Sequence, residues 1–554
     1  MKRNVWFLTG ILGLPLVAAG AYLWATAMMD SMFAYRSPLR NSPPAPGPAL
    51  GTPVTRRVVF VLIDALRLDT SLKTDVMPVL DELRGRGASA AMHSRPPSFS
   101  EPGYTALLTG AWPDINDGPP VNLDYEEIHT FTQDDLFSAA HRAGLHTAVS
   151  GYYWFERLIP QEAVDASFYT PGEDAAADRD VVDAALPWLR QDYQLVLIHI
   201  DQVDYAGHYQ GGPRDPRWEA AAARADDLLG EILASLDPER DTILVLSDHG
   251  QIDRGGHGGP EPVTLIEPFV LAGAGIRPGA YPDVQMADVA PTLAVLLGTN
   301  LPASGQGRPL TGMLVLDQTR LDAIEQALIV QQAGLYRAYA EAIGYAAPIS
   351  SGQDVVATAQ AAMDEARSAR LGSESRLRTA LAVILAILPG YLFIVRRDRR
   401  WPWLLAGALV YLLLFNLRYA ILDGRPYSLS AVDSQEWLIA YTGSNAAAAL
   451  IAGWLVTAFG ARMFGRNARH TEARPPRRAA GLTLDFIWLT LYLLGLPVLL
   501  SLAVNGPLVT WTLPEFHTAY LALLSLIQGI IVAALGLLLT GIAAGIGRLA
   551  GRRT

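Results

Sequence analysis

Six apolar stretches, one at the start and five in the last third, constrain this chain more than any other feature. Residues 5–28 are almost continuously apolar, and further spans lie near 376–395, 402–421, 436–459, 481–504 and 515–546. Each has the ~20 residues that a helix needs to cover the hydrocarbon core of a bilayer. Lipid offers no partner to a bare peptide group, so each span is expected to be helical. Five such runs in succession are too apolar for the buried helices of a large soluble core. A cleaved signal peptide is the rival reading for residues 5–28, but the run is long and no small-x-small cleavage site ends it.

Arginine and lysine set the orientation. Lys2-Arg3, Arg396-Arg397-Asp398-Arg399-Arg400, the loop from Arg462 to Arg478 and the tail residues Arg548, Arg552 and Arg553 are the basic segments around the spans. The intervening loops near 422–435 and 505–514 carry one basic residue between them. Six spans with the N-terminus inside put every basic loop on the cytoplasmic side. The expectation is a multi-pass plasma-membrane protein with both termini cytoplasmic and the acidic middle of the chain on the outer face. No basic patch suited to nucleic acid and no internal repeat occurs, and a chain without cysteine folds without disulfides. The expected division is an anchor at 1–30, a Pro-rich linker at 31–55, a catalytic domain at 56–312, a helical connector at 313–375, five spans at 376–546 and a tail at 547–554.

The linker contains Pro38, Pro43, Pro44, Pro46, Pro48 and Pro53, and reads as an extended tether. Beyond it strands and helices alternate. Arg57 to Ile63 reads as a buried strand that delivers Asp64, residues 76–86 as a helix, and Ala88 to His93 as a short strand. A helix is predicted with Ser100 as its cap and Pro102 in its first turn. His146–Gly151 and Gln194–Ile200 read as strands, Asp178–Arg190 and 215–235 as helices. Ile243 to Leu246 is a buried strand running into Asp248-His249-Gly250, with His257 in the glycine-rich loop beyond. Such alternation predicts an α/β domain built on a doubly wound, mainly parallel sheet. Ligands gather at the C-terminal strand ends of these sheets, where Asp64, Asp204 and Asp248 all fall. Helices at 314–345 and 353–371 read as a solvated spacer or brace.

The residues divide into two metal sites. One would use Asp64, Asp248 and His249 with Ser100; the other would use Asp204, His208 and His257. Mixed His/Asp ligation favours zinc, with manganese as the alternative. Asp204 and His208 are four residues apart, so a single helical turn aims both at one ion. Two such ions suit in-line displacement at phosphorus. Ser100 is the nucleophile expected, because a helix N-terminus favours an incoming phosphate and metal contact lowers a hydroxyl's pKa.

These residues resemble the alkaline phosphatase superfamily, above all its type I phosphodiesterase/nucleotide pyrophosphatase branch and the GPI ethanolamine phosphate transferases. Asp248-His249-Gly with Gly-His257-Gly-Gly resembles the second metal motif of that group. Asp204-Tyr-Ala-Gly-His208 resembles its Asp-x-x-Gly-His motif, and Ile63-Asp64-Ala-Leu-Arg its first motif. Ser100-Glu-Pro-Gly-Tyr-Thr-Ala-Leu-Leu-Thr109-Gly110 falls at the nucleophile segment, with serine where these branches more often have threonine. Met286 to Gly298 with Gly305-Gln-Gly-Arg-Pro309 resembles the closing helix and loop. The likeness covers about 55–312. It implies an alkaline-phosphatase-like fold, two divalent cations and a serine phospho-enzyme. It also implies a phosphodiesterase or phosphotransferase acting on lipid- or glycan-linked phosphodiesters, with Asn122 on the phosphate. Gly151-Tyr-Tyr-Trp-Phe155 resembles the transferases' Gly-Asp-Asp-x-Trp, but both acids are tyrosines here. Tyr152, Tyr153 and Trp154 either wall a substrate pocket or, as aromatics just past a strand, serve as packing.

Two rival readings are weaker. A sulfatase of the same superfamily would need an arginine in its Cys/Ser-x-Pro-x-Arg signature, and Ser100-Glu-Pro-Gly-Tyr104 has none. An inactive membrane transporter or scaffold would be expected to carry buried acids within its spans, whereas Asp423 and Asp433 fall in an outer loop.

Overall fold

The computed structural model describes every residue except 1, 349–351, 353, 396–399, 433, 465–474 and 552–554. Asp433, Arg396 to Arg399, the middle of the 462–478 loop, Arg552 and Arg553 therefore lie outside the described residues. The chain forms two compact units. One comprises Met32–Gly372 with Thr510–Leu513; the other comprises Met1–Ser31, Ser373–Val509 and Pro514–Thr554.

The first unit is built on a nine-stranded sheet. Its strands are β1 (Arg57–Ile63), β2 (Ala88–His93), β3 (Thr147–Tyr152), β4 (Ala166–Thr170), β5 (Leu195–Ile200), β6 (Asp241–Leu246), β7 (Ile266–Gly273) and the short β8 (Gly279–Ala280) and β9 (Val284–Gln285). The order is β4-β3-β5-β1-β6-β7-β2-β8, with β9 also on β2. From β4 through β6 every pairing is parallel, whereas β7 runs antiparallel to both β6 and β2. β1, β5 and β6 are buried along their whole length, as expected of parallel strands covered on both faces.

The two faces take alternate residues of the same strands. Val59, Val61, Ile63, Val196, Ile198 and Ile200 pack against Leu80 and Leu83, Val181 and Ala185, and Trp218, Ala221 and Ala225. Those partners come from the helices Pro78–Arg86, Ala175–Ala185 and Pro216–Leu233. The Val289–Leu297 helix contacts β1 on the other side, joined by the helices Ser100–Thr109 and Leu136–Arg142. The sheet is thus doubly wound. Register levels the strand ends: Ile63 pairs with Ile200 and Leu62 with Leu246. Asp64, Asp201 and Asp248 consequently emerge side by side.

Several boundaries move. The predicted 178–190 helix is Ala175–Ala185, followed by a separate turn at Trp188–Arg190; Asp174 caps it, accepting from Ala176 and Ala177 N–H. Pro187, lacking an N–H, divides the two. The predicted tether is extended but not free. Tyr35 donates to the Asp114 carbonyl, Arg36 pairs with Asp117, and the Leu50 and Val54 amides donate to Thr299 and Leu296. The helices Gln318–Ile343 and Val355–Val395 form a brace, because Leu335, Tyr339 and Ile343 share an apolar cluster with Ala362, Met363, Ala111 and Ile115. The predicted 353–371 helix does not end before the next span but runs on through Val395.

Among the described residues six helices are long and apolar enough to cross a membrane: Phe7–Phe33, Val355–Val395, Trp401–Leu422, Gln435–Met463, Arg478–Asn505 and Phe516–Leu549. Within the second unit, close packing relies on small residues. A Cβ on Gly407 would fall 2.5 Å from the Gly453 carbonyl oxygen, so these two helices touch backbone to backbone. Buried polar groups pair across helices, Tyr411 with Gln528 at 2.7 Å and Trp454 with Thr483 at 2.9 Å.

Candidate active site

The Ser100–Thr109 helix begins one residue later than the predicted cap. Phe99 is the cap, with extended backbone, and Ser100 is already helical. Ser100 therefore does not spend its hydroxyl on the helix end. Its Oγ lies 3.1 Å from His249 Nε2, and the residue is buried. Asn122 Oδ1 accepts the next N–H, that of Glu101, at 3.1 Å. Glu101 is itself buried, accepts from the Leu123 amide and is pushed well above the ordinary carboxyl pKa by desolvation.

Asp64, Asp248 and His249 close around Ser100. His249 Nε2 is 3.4 Å from Asp64 Oδ1 and 3.5 Å from Asp248 Oδ2. Both carboxylate oxygens are buried and have no hydrogen-bond partner in the structure. Their sister oxygens are engaged: Asp248 Oδ1 accepts the Ala65 N–H at 3.3 Å, and Asp64 Oδ2 accepts from Tyr104 Oη and from His199 Nε2 at 3.0 Å. Burial alone would raise the Asp64 pKa, but the His199 hydrogen bond and the His249 ring hold it below the ordinary value. Asp248 is pushed well up, first by burial and then by the Asp64 charge.

Asp204, His208 and His257 form the second group. Asp204 and His208 lie one turn apart on the Gln202–Tyr209 helix, with Oδ2 to Nε2 at 3.4 Å. His257 Nε2 lies 2.9 Å from His208 Nε2 and 3.7 Å from Asp204 Oδ1. The His257 loop is pinned by Ser98, whose Oγ accepts the Gly258 N–H at 2.9 Å. Gly258 has φ +105° and a Cβ there would strike the Phe99 ring at 2.3 Å, so only glycine fits. The two groups adjoin: His249 and His257 stack at 3.9 Å, and donor atoms of Asp64, Asp204 and His249 lie within 4.8 Å of one another.

The donor set fits small divalent cations. His249 and His257 each give Nδ1–H to a carbonyl, of Gly250 at 3.1 Å and Ser98 at 3.0 Å, which leaves Nε2 with its lone pair facing the cluster. Desolvation, then His249 and His208, holds the His257 pKa well below the ordinary value, so it stays neutral. Tetrahedral ligands ~2.0–2.2 Å from an ion lie ~3.3–3.6 Å apart, close to the donor spacings found here. Two buried carboxylate oxygens with no hydrogen-bond donor, beside imidazole nitrogens whose Nδ1 partners are carbonyls, make an arrangement that a cation relieves.

The structure thus brings together Asp64, Ser100, Asp204, His208, Asp248, His249 and His257, with Asn122 beside them. Tyr152 ends β3, and its N–H points to His199 Nδ1 at 3.4 Å; Trp154 meets its ring edge-on at 4.9 Å. Four neighbours escaped the sequence reading. His199 sits mid-strand among apolar residues and Tyr104 within a helix, both ordinary core positions. Asp201, just past β5, is pushed well up by burial and by Asp64. Gln251 Nε2 donates to Asp204 Oδ1 at 2.5 Å. A polar residue inside a buried strand, as at His199, was the available signal.

Residues 58–256 match the family model of type I phosphodiesterase / nucleotide pyrophosphatase. The catalytic subunit of human GPI ethanolamine phosphate transferase 2 is 30% identical over 313 residues, covering 49% of this chain and 31% of that protein. Mouse GPI ethanolamine phosphate transferase 1 is 25% identical over 320 residues, covering 46% of this chain and 32% of that protein. The chain thus spans about a third of the length of these relatives. Human ectonucleotide pyrophosphatase / phosphodiesterase 5 overlays with a TM-score of 0.39 at 14% identity, covering 44% of this chain and 95% of that one. The alkaline phosphatase PafA overlays with a TM-score of 0.39 at 12% identity, covering 48% of this chain and 100% of that one. The family match and the transferase relatives agree with the resemblance carried by the motifs.

Proposed function

We propose that the chain is a membrane-bound phosphodiesterase or phosphotransferase, similar to the ethanolamine phosphate transferases, that works through a phospho-serine at Ser100. The observation carrying this reading is the buried Ser100 hydroxyl 3.1 Å from His249, beside two partnerless carboxylate oxygens and next to the Asp204 group. Asp64, Ser100, Asp248 and His249 would hold one divalent cation and Asp204, His208 and His257 the other. Zinc is the expected metal, with manganese as the alternative. Bound there, such cations supply charge neutralisation at the attacking and leaving oxygens.

The protein's residues do the rest. Ser100 Oγ forms a bond to phosphorus as the bond to the departing alcohol breaks, and the Ser100 proton leaves with that alcohol or to solvent. The alcohol of an acceptor, or water, then attacks phosphorus and returns the Ser100 oxygen. Asn122, its Oδ1 committed to the Glu101 amide, offers its NH2 group to a phosphoryl oxygen. Burial of Ser100 keeps bulk water from the reacting centre. The substrate is a lipid- or glycan-linked phosphodiester, which suits a domain carried by membrane helices. The distribution of basic loops supports a catalytic domain on the non-cytoplasmic side, for which the outer face of the plasma membrane is the proposed location. Tyr104 stands where a sulfatase signature has arginine, and its hydroxyl is committed to Asp64.

Purified full-length protein should contain bound zinc and cleave a chromogenic phosphodiester. Quenched after incubation with phosphatidylethanolamine, it should carry a phosphoethanolamine adduct on Ser100, and Ser100→Ala should carry none. Absence of both metal and activity would favour the scaffold reading.

A further inference from the structure

One carboxylate beside the site belongs to neither cation group. Glu173 lies three residues past the end of β4, and β4 pairs in parallel with β3, whose last residue Tyr152 is level with Thr170. Glu173 and Tyr152 therefore stand at the same edge of the sheet as Asp64, Asp201 and Asp248. Tyr152 connects them physically. Its N–H meets His199 Nδ1 at 3.4 Å, His199 Nε2 meets Asp64 at 3.0 Å, and the Tyr152 hydroxyl donates to Glu173 Oε1 at 2.8 Å. The Tyr152 ring is itself braced, packing edge-on against Tyr153 at 4.7 Å and Trp154 at 4.9 Å.

Half-burial disfavours charge on Glu173, and the acids Asp204 and Asp64 add to that cost, with Tyr152 and His208 acting the other way. The hydrogen-bond partner that holds it is a neutral phenol. A half-buried carboxylate held by the hydroxyl of a tyrosine that packs on a tryptophan is suited to an organic ammonium, through a charge-assisted hydrogen bond with cation–π attraction to a neighbouring ring.

We infer that Glu173, oriented by Tyr152 and walled by Trp154, is a specificity-determining residue that binds the ammonium of the headgroup alcohol in the phosphodiester substrate. This rests on the phosphotransferase reading above and narrows it to zwitterionic aminoalcohol phosphodiesters. A phosphodiester with phosphorus at Ser100 would direct its aminoalkyl arm along this edge of the sheet to Glu173. The resembled transferases have two acids where this chain has Tyr152 and Tyr153. In this chain a carboxylate from beyond the neighbouring strand meets the hydroxyl of one of those tyrosines.

The test compares two ligands of matched length, phosphoethanolamine and n-propyl phosphate, of which only the first has an ammonium. Their affinities are measured by calorimetry on full-length, zinc-supplemented protein carrying Ser100→Ala to prevent turnover. The expected result is about tenfold or greater preference for phosphoethanolamine, falling to about one when Glu173→Gln is added. Tyr152→Phe, which keeps the ring and removes the hydroxyl that orients Glu173, should lower the preference in part; it also serves if the glutamine variant does not fold. A ratio near one in the parent protein, or one that survives Glu173→Gln, overturns the inference, and binding of neither ligand overturns it together with the phosphotransferase reading. A preference that vanishes in Glu173→Gln while no Ser100 adduct ever forms supports the ammonium site and sinks only the phospho-enzyme.

Discussion

Replacing Tyr104 with phenylalanine isolates what the surroundings lend to Asp64. Tyr104 is 1% exposed and stacks on Phe155 at 4.5 Å, so the substitution keeps the packing and removes one hydroxyl. That hydroxyl donates to Asp64 Oδ2, where His199 Nε2 is the second donor at 3.0 Å. Burial, then the Asp64 charge, pushes the phenol pKa well up, so it remains a donor at any working pH. A hydrogen bond to a charged group contributes ~1.5–3 kcal/mol; with His199 still in place the net loss should be nearer ~1–2 kcal/mol. If Asp64 Oδ1 holds a cation, that converts to about 5- to 30-fold weaker affinity for it. The range overlaps the ~10–100-fold typical of outer-shell partners of metal ligands. Zinc affinity is measured on full-length protein by competition with a chromophoric chelator, beside a thermal melt to confirm folding. One of the two ions should weaken by this factor. An affinity unchanged within about twofold, in a protein that melts like the wild type, would refute the division of Asp64 into a supported oxygen and a cation-facing one.

Three further outcomes are expected. Asp178 accepts the Asp201 and Gln202 N–H groups at 2.8 and 3.0 Å, and burial pushes its carboxyl from 3.8 up to about 6. Folding therefore favours its protonated form: that stabilisation is complete below about pH 4 and is lost as pH rises through 6, ~3 kcal/mol in all. Denaturant unfolding from about pH 4 to 7 should show this component in wild type and lack it in Asp178→Asn. Gly207→Ala would place a Cβ 1.9 Å from Gln251 Oε1, whose amide holds Asp204. It should cost ~1–3 kcal/mol and weaken the Asp204 cation site, and an unchanged melt with unchanged zinc affinity would contradict this. The chain has no cysteine, so single cysteines report topology directly. An impermeant maleimide on intact cells should label Glu239→Cys and spare Asn467→Cys, and the opposite pattern would invert the orientation.

The sequence by itself determined the apolar spans, the doubly wound sheet and all seven cation-ligating candidates. Those ligands were legible because their placement is local: Asp64 and Asp248 lie one and two residues past their strands, and Asp204 and His208 share one helical turn. Only the tertiary structure decided what supports them. His199 and Tyr104 look like core residues until strand register brings both against Asp64 Oδ2. Ser100 read as both the helix cap and the nucleophile; the structure gives the cap position to Phe99 and leaves the Ser100 hydroxyl to His249. The Pro-rich segment read only as an extended tether, because composition reports stiffness but not the Asp117, Leu296 and Thr299 partners that pin it. β7 and its antiparallel pairing were likewise invisible, since strand direction and sheet order depend on contacts between residues far apart in the chain. Glu173 carries no motif, and it acquires a role only because β4 lies beside β3.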